Sequence, residues 1–208
     1  MHFPRNKGGV VLGLALLMLW MPIPEAMAKE SKAIAIETKV NANESDALTP
    51  AMHVWQDWPV VGEARLTWGI WTIYDATLRA PRGTVISQTP FKVHQPMALQ
   101  IIYKRNIASD DFVEATVAQW QKQQVSAFNI AQWQPQLGKL FPSVRKGEQL
   151  IYLFDGEQGQ LWYQTKQGIF LRGTVTDPAF TNAFLGIWLA PNSQYPTLRL
   201  QLLGEARS

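Results

Sequence analysis

The chain has 208 residues, with 19 Lys and Arg against 16 Asp and Glu, 47% hydrophobic residues and no cysteine. A net charge of +3 without a cationic stripe interleaved with aromatics excludes a nucleic-acid surface. The missing cysteines exclude disulfides, thiol nucleophiles and thiolate metal sites, and three histidines (His2, His53, His94) are too few for a multi-histidine metal centre. What is left is an α- and β-forming chain of ordinary apolar content that needs no covalent staples.

Residues 1–28 read as a secretion signal. Arg5 and Lys7 precede an apolar run from Gly8 to Met21, Pro22 and Pro24 end it, and Ala26-Met27-Ala28 is a small-x-small cleavage site. The run is shorter than the ~20 residues that span a bilayer as a helix. A periplasmic or secreted protein, cut near Ala28 and carrying no membrane span afterwards, is therefore expected. Residues 29–53 lack aromatics and alternate small, polar and charged side chains, so they read as a flexible tether with a loose strand at Ala33–Ile36. The packed domain is expected over 54–208, opening with Trp55, Trp58, Trp68 and Trp71.

Trp58–Ala80 has the pattern of a long antiparallel hairpin. Trp58, Val60, Gly62, Ala64, Leu66 and Trp68 alternate onto one face, Val61, Glu63, Arg65 and Thr67 take the other, and Gly69 supplies the turn. A linker rich in turn formers leads to a third strand at Met97–Lys104. A helix capped by Ser109, with a stripe of Phe112, Val113, Thr116, Val117 and Trp120, comes next. A second helix runs from Ser126 to Leu140, with a break expected at Pro135. Strands return at Gln149–Asp155, Gln160–Lys166 and Ile169–Val175. Asp177-Pro178 opens a third helix as cap and first residue, and Phe180, Phe184, Ile187 and Trp188 form its apolar face. A closing strand is expected at Thr197–Leu203. The order predicts one α+β domain, an antiparallel sheet with helices layered on one face.

A series of short segments resembles the bacterial chalcone isomerase-like family. They are Gly62-Glu63-Ala64-Arg65, Ile73-Tyr74-Asp75-Ala76-Thr77-Leu78, Ala98-Leu99-Gln100-Ile101-Ile102-Tyr103, Trp133 with Leu140-Phe141-Pro142, and Arg145-Lys146-Gly147. Asp177-Pro178-Ala179-Phe180 and Ala183-Phe184-Leu185-Gly186-Ile187-Trp188-Leu189 complete the series, which covers about 54–204. The resemblance implies an open-faced β-sandwich. It also implies one of two activities: ring closure of chalcones to flavanones, or fatty-acid binding without turnover. In characterised branches an arginine on the first hairpin strand anchors a phenolate or carboxylate, and Arg65 is the matching position.

Physical chemistry leaves three readings of Arg65 open. A desolvated guanidinium must meet an internal acid, of which Glu63 and Asp75 are nearest in the hairpin, or face a cleft that takes an anion; otherwise it is solvated. A register shifted by one would instead set the Tyr74 hydroxyl beside the same ligand. Tyr103 adds a phenol that either faces a cleft or fills the core. A carboxylate at Asp75 repels an oxyanion, which argues against ring closure. The ligand-binding set expected from sequence is therefore Arg65, Tyr74, Asp75 and Tyr103, around a small lipophilic acid or phenolic ligand. No catalytic residue, metal or cofactor is assigned. An intramolecular lyase, using Tyr74 or Tyr103 for proton transfer, and a partner-docking protein are the alternatives.

Overall fold

The computed structural model describes residues 54–205. The leader, the tether with its Ala33–Ile36 strand, and His53 lie outside them. Six long strands form one antiparallel sheet: β1 (Val60–Trp68), β2 (Trp71–Arg79), β5 (Met97–Tyr103), β6 (Gln149–Phe154), β7 (Gly159–Thr165) and β8 (Gly168–Val175). Each strand pairs with the one before it in this series. Between β2 and β5 the linker folds into a small second hairpin, β3 (Ser87–Gln88) and β4 (Phe91–Lys92). The backbone N–H of Val93 ties that linker to the helix layer by donating to Asn182 Oδ1 at 2.7 Å.

Helices α1 (Ser109–Lys122), α2 (Ala127–Leu140), α3 (Pro178–Leu189) and α4 (Pro196–Leu202) pack on one face of the sheet. Strand residues Ala76, Leu78, Leu99, Ile101 and Leu150 meet Trp120, Trp133, Leu137, Phe180 and Leu185 from the helices in one continuous core. Fully burying each such side chain contributes roughly 1.5–3 kcal/mol, the dominant favourable term. A smaller apolar cluster sits on the opposite face, where Trp55 from a single 3-10 turn (Trp55–Asp57) covers Ala98, Ile151, Leu153 and Trp162.

Asp177 and Pro178 start α3 as expected: the cap carboxylate accepts the Ala179 N–H at 2.8 Å, and proline occupies the first turn, where its missing N–H costs nothing. Four other expectations need correction. Ser109 is the first helical residue and not the cap; its hydroxyl donates to the Phe141 carbonyl at 2.6 Å and ties α1 to the end of α2. Pro135 lies inside α2 without ending it. Burial of Ile130, Trp133, Leu137 and Leu140 on the two sides of the proline keeps the helix continuous against the loss of one backbone bond.

The expected last strand is the helix α4. Pro196 suits its first turn, and Leu198 and Leu202, four apart, are both buried. This helix lies on β1 so closely that a Cβ on Gly62 would stand 2.1 Å from the Gln201 carbonyl oxygen, so only glycine fits there. The alternation of β1 also fails at its ends. Register shifts between Val60 and Gly62 and between Leu66 and Thr67 turn Val60 and Trp68 out to solvent, while Gly62 and Ala64 stay buried.

Candidate functional site

The four residues expected at a binding site fall on opposite faces of the sheet. Register places Arg65 beside Asp75, and Asp75 beside Ile102. The next positions on these strands, Tyr74 and Tyr103, are partners of each other and point the other way, into the helix layer. One carboxylate and one arginine therefore share the outer face, and two phenols share the inner one.

On the outer face Arg65 Nε donates to Asp75 Oδ1 at 2.6 Å, and Lys104 Nζ reaches Asp75 Oδ2 at 2.7 Å. Of the three readings open for Arg65, this is the ion pair, but in water: the arginine side chain is 63% exposed. The pleat sends it away from Tyr74 and from the buried face. Glu63 points outward too and is exposed. The Arg65 hydrogen bond, with Lys104 adding to it, holds the Asp75 carboxyl below the usual carboxylate range. Lys104, the last residue of the expected third strand, is a partner that sequence reasoning missed, because only the pairing of β2 with β5 brings it to Asp75.

The inner face is aromatic. Tyr74, Tyr103 and Phe112 make successive edge contacts at 6.0 and 5.2 Å between ring centres, and Phe112 stacks on Phe141 at 5.4 Å. Phe184 from α3 touches Phe141, Tyr152 and Trp188 at 5.9, 4.8 and 5.3 Å. The polar groups paired around Tyr74, Tyr152 and Tyr195 are neutral. The Asp177 carboxylate at the start of α3 accepts the Trp133 indole N–H at 2.9 Å, and the part-buried Arg199 donates to the Leu189 carbonyl at 3.1 Å. The Trp188 indole N–H donates to the Tyr74 hydroxyl at 2.9 Å. The Gln119 amide donates to the Tyr195 hydroxyl at 3.3 Å, leaving its Oε1 buried with no hydrogen-bond partner among the described residues. The Tyr152 hydroxyl meets Thr181 Oγ1 at 2.8 Å, in a space that exists because a Cβ on Gly159 would stand 2.0 Å from that hydroxyl.

Burial disfavours the phenolate, so the Tyr74, Tyr103 and Tyr152 hydroxyls hold their protons well above the ordinary tyrosine range and the Tyr195 hydroxyl is raised as well. Tyr163, nearer the edge, is pushed up to about 12 by burial and by donating to the Glu148 carboxylate. Such phenols are hydrogen-bond donors and acceptors at neutral pH but neither acids nor bases there. Among the described residues no cluster of His, Asp or Glu is arranged to hold a metal ion. Gln119, Tyr195 and the Trp188 donor were not foreseen from sequence. They lie 76 and 114 residues from their partners, and nothing local signals such a pairing.

An antiparallel six-stranded meander whose helices cover one face, with a tyrosine-bearing inner layer, defines an α+β fold of the open-faced sandwich class. The family model for chalcone isomerase-like proteins matches residues 70–204, and the chain belongs to that family. An uncharacterised protein of Haemophilus influenzae is 27% identical over 155 residues, covering 73% of this chain and 70% of the relative. The crystal structure of an Arabidopsis thaliana fatty-acid binding protein is similar with a TM-score of 0.53 at 10% identity, covering 70% of this chain and 86% of that one. At that identity the likeness concerns the fold.

Proposed function

We propose that the protein is an exported, non-catalytic binding module that takes a small lipophilic ligand between sheet and helices. The observation that carries this reading is the chemistry of the inner layer: the polar atoms on Tyr74, Tyr103, Gln119, Trp188 and Tyr195 are uncharged and do not titrate near neutrality. Family membership supports a binding role, as does the fatty-acid binding named for the Arabidopsis neighbour. The leader supports export to the periplasm or beyond.

The ligand in this reading differs from the one Arg65 would select. With no cation among those inner-layer groups, a lipophilic carboxylic acid enters in its protonated form, or a phenol or alcohol takes its place, donating to the open Gln119 oxygen. Uptake requires the ring layer to part, which lowers the apparent affinity by the fraction of time it is open. Delipidated protein should take up a long-chain acid and the matching alcohol comparably at micromolar concentration. Arg65→Ala should leave that uptake unchanged, and Tyr74→Phe or Gln119→Ala should weaken it. If neither compound binds, the lipophilic-ligand reading fails. Loss of hydroxychalcone absorbance faster than in buffer would show turnover and remove its non-catalytic part.

A second reading, a partner-docking protein without a small ligand, is favoured by the closure of Arg65 on Asp75 and by the ring contacts that fill the interior. It predicts that neither compound binds and that a defined protein is captured by cross-linking in the cell envelope.

A further inference from the structure

The β1–β2 hairpin outruns the sheet. Pairing of β2 with β5 stops at Tyr74 and Tyr103, so Trp68, Gly69, Ile70, Trp71 and Thr72 continue as a two-stranded projection. Its turn is closed by Gly69 at φ 57°, a conformation that glycine adopts without strain at the first central position of a two-residue hairpin. The second central position is usually a small polar residue, yet here it is Ile70, which is 89% exposed. Trp68 and Trp71 flank it at 44% and 52% exposure. Nothing in the folding of the hairpin requires three large apolar side chains in water.

Cations gather at the same end. Arg105 stacks over the Trp71 ring at 5.0 Å, and Lys104 precedes it. Asn106 Oδ1 accepts the Lys146 N–H at 2.9 Å, which brings exposed Arg145 and Lys146 alongside. The nearby acids are Asp75, bound by Arg65 and Lys104; Glu148, which accepts from Tyr163 and from the Arg145 backbone; and Asp110 and Asp111 in the first turn of α1. Lys104 is held by Asp75, whereas Arg105, Arg145 and Lys146 make no ion pair with these carboxylates among the described residues.

We propose that this tip is a membrane-surface anchor, with Trp68, Ile70 and Trp71 entering the interfacial region of an anionic phospholipid bilayer and Arg105, Arg145 and Lys146 lying against lipid phosphates. Tryptophan suits that boundary because its ring is apolar and its N–H is polar. Basic side chains beside an anionic bilayer are drawn to its negative surface potential. A protein partner fits less well. The three side chains expose roughly 400 Å², taking aromatics at up to ~250 Å² each, which is about half of the ~800 Å² per partner of a stable interface. Among the described residues no helix is long and apolar enough to cross a membrane.

Co-sedimentation of the mature protein with mixed phosphatidylglycerol–phosphatidylcholine vesicles, against vesicles of phosphatidylcholine alone, tests the anchor. Binding should favour the anionic vesicles and fall steeply near 1 M salt, where the Debye length is about 3 Å. The triple variant Trp68→Ser, Ile70→Ser, Trp71→Ser should lose about tenfold or more of the partitioning while keeping its thermal midpoint. The pair Arg105→Glu and Lys146→Glu, which leaves the apolar tip in place, should lose the preference for anionic lipid. No sedimentation of folded wild type, or equal sedimentation of the triple variant, overturns the proposal. So does a wild-type dimer that the triple variant converts to monomer without any vesicle binding.

Discussion

Around β1, β2 and the end of β5 the two faces of the sheet are built from the same strands and have opposite characters, whereas further along β5, β6 and β7 the outer face is covered by Trp55. Inward from β2 and β5 point Tyr74, Ala76, Leu78, Leu99, Ile101 and Tyr103, all buried under helices. Outward from neighbouring positions of the β1–β2–β5 region point Arg65, Asp75 and Ile102, exposed or half-exposed. A one-residue step along the strand separates a phenol that never meets water from a carboxylate that is paired within it. Chemistry that depends on a dry environment belongs to the inner face, and charge on the outer face is screened and inexpensive to alter.

The sharpest way to break that contrast is a matched pair of truncations. Leu99→Ala on the inner face should cost about 2–5 kcal/mol, and Ile102→Ala on the outer face less than about 1 kcal/mol, by urea unfolding. Equal costs would mean that the faces are energetically alike. Next in size is Trp188→Phe, which removes the donor to the buried Tyr74 hydroxyl and should lower stability by about 1–3 kcal/mol, part of it recovered in the double variant with Tyr74→Phe.

The tyrosines sharpen the comparison by pH. All five in the chain hold their protons above the ordinary value in the folded state. The unfolded chain releases those protons near pH 10. Their contribution to stability is therefore complete below that pH and is lost as pH rises towards the folded values. Phenolate absorbance at 25 °C should show no step near pH 10, and should appear together with the loss of near-ultraviolet circular dichroism. A reversible step near pH 10 in folded protein would contradict the burial of these rings.

The smallest effect belongs to the outer pair. Asp75 has a depressed pKa when folded, so its contribution is present above the unfolded value of about 3.9 and lost as pH falls through the folded value. Arg65 is solvent-exposed, and exposed pairs are heavily screened. Arg65→Ala should leave the thermal midpoint at neutral pH unchanged within error and only flatten the acid limb of the stability profile. A large destabilisation would mean that the outer face is covered in solution.

Alternation and turn chemistry in residues 58–80 are enough to read a hairpin, and the spacing of apolar residues after Asp177-Pro178 is enough to read α3, because these signals act within a few residues of one another. The segment 196–202 shows the limit. Its leucines serve strand and helix templates alike over so short a stretch, and contact with Gly62 on β1 selects the helix. Pro135 marks a break by local rule, and burial of α2 on both sides of it prevails.

Local sequence by itself determined the α+β class, the hairpin, the strand spacing and the family, since each depends on patterns of period two or four and on short ordered segments. Only the tertiary structure decided which side of the pleat meets the helices, and with it whether Arg65 or Tyr74 is buried. It also joined Trp188 to Tyr74 across 114 positions. Period two assigns residues to two faces but carries no sign; packing supplies that sign where, as at Arg65, Tyr74 and Asp75, one face is covered and the other left to water.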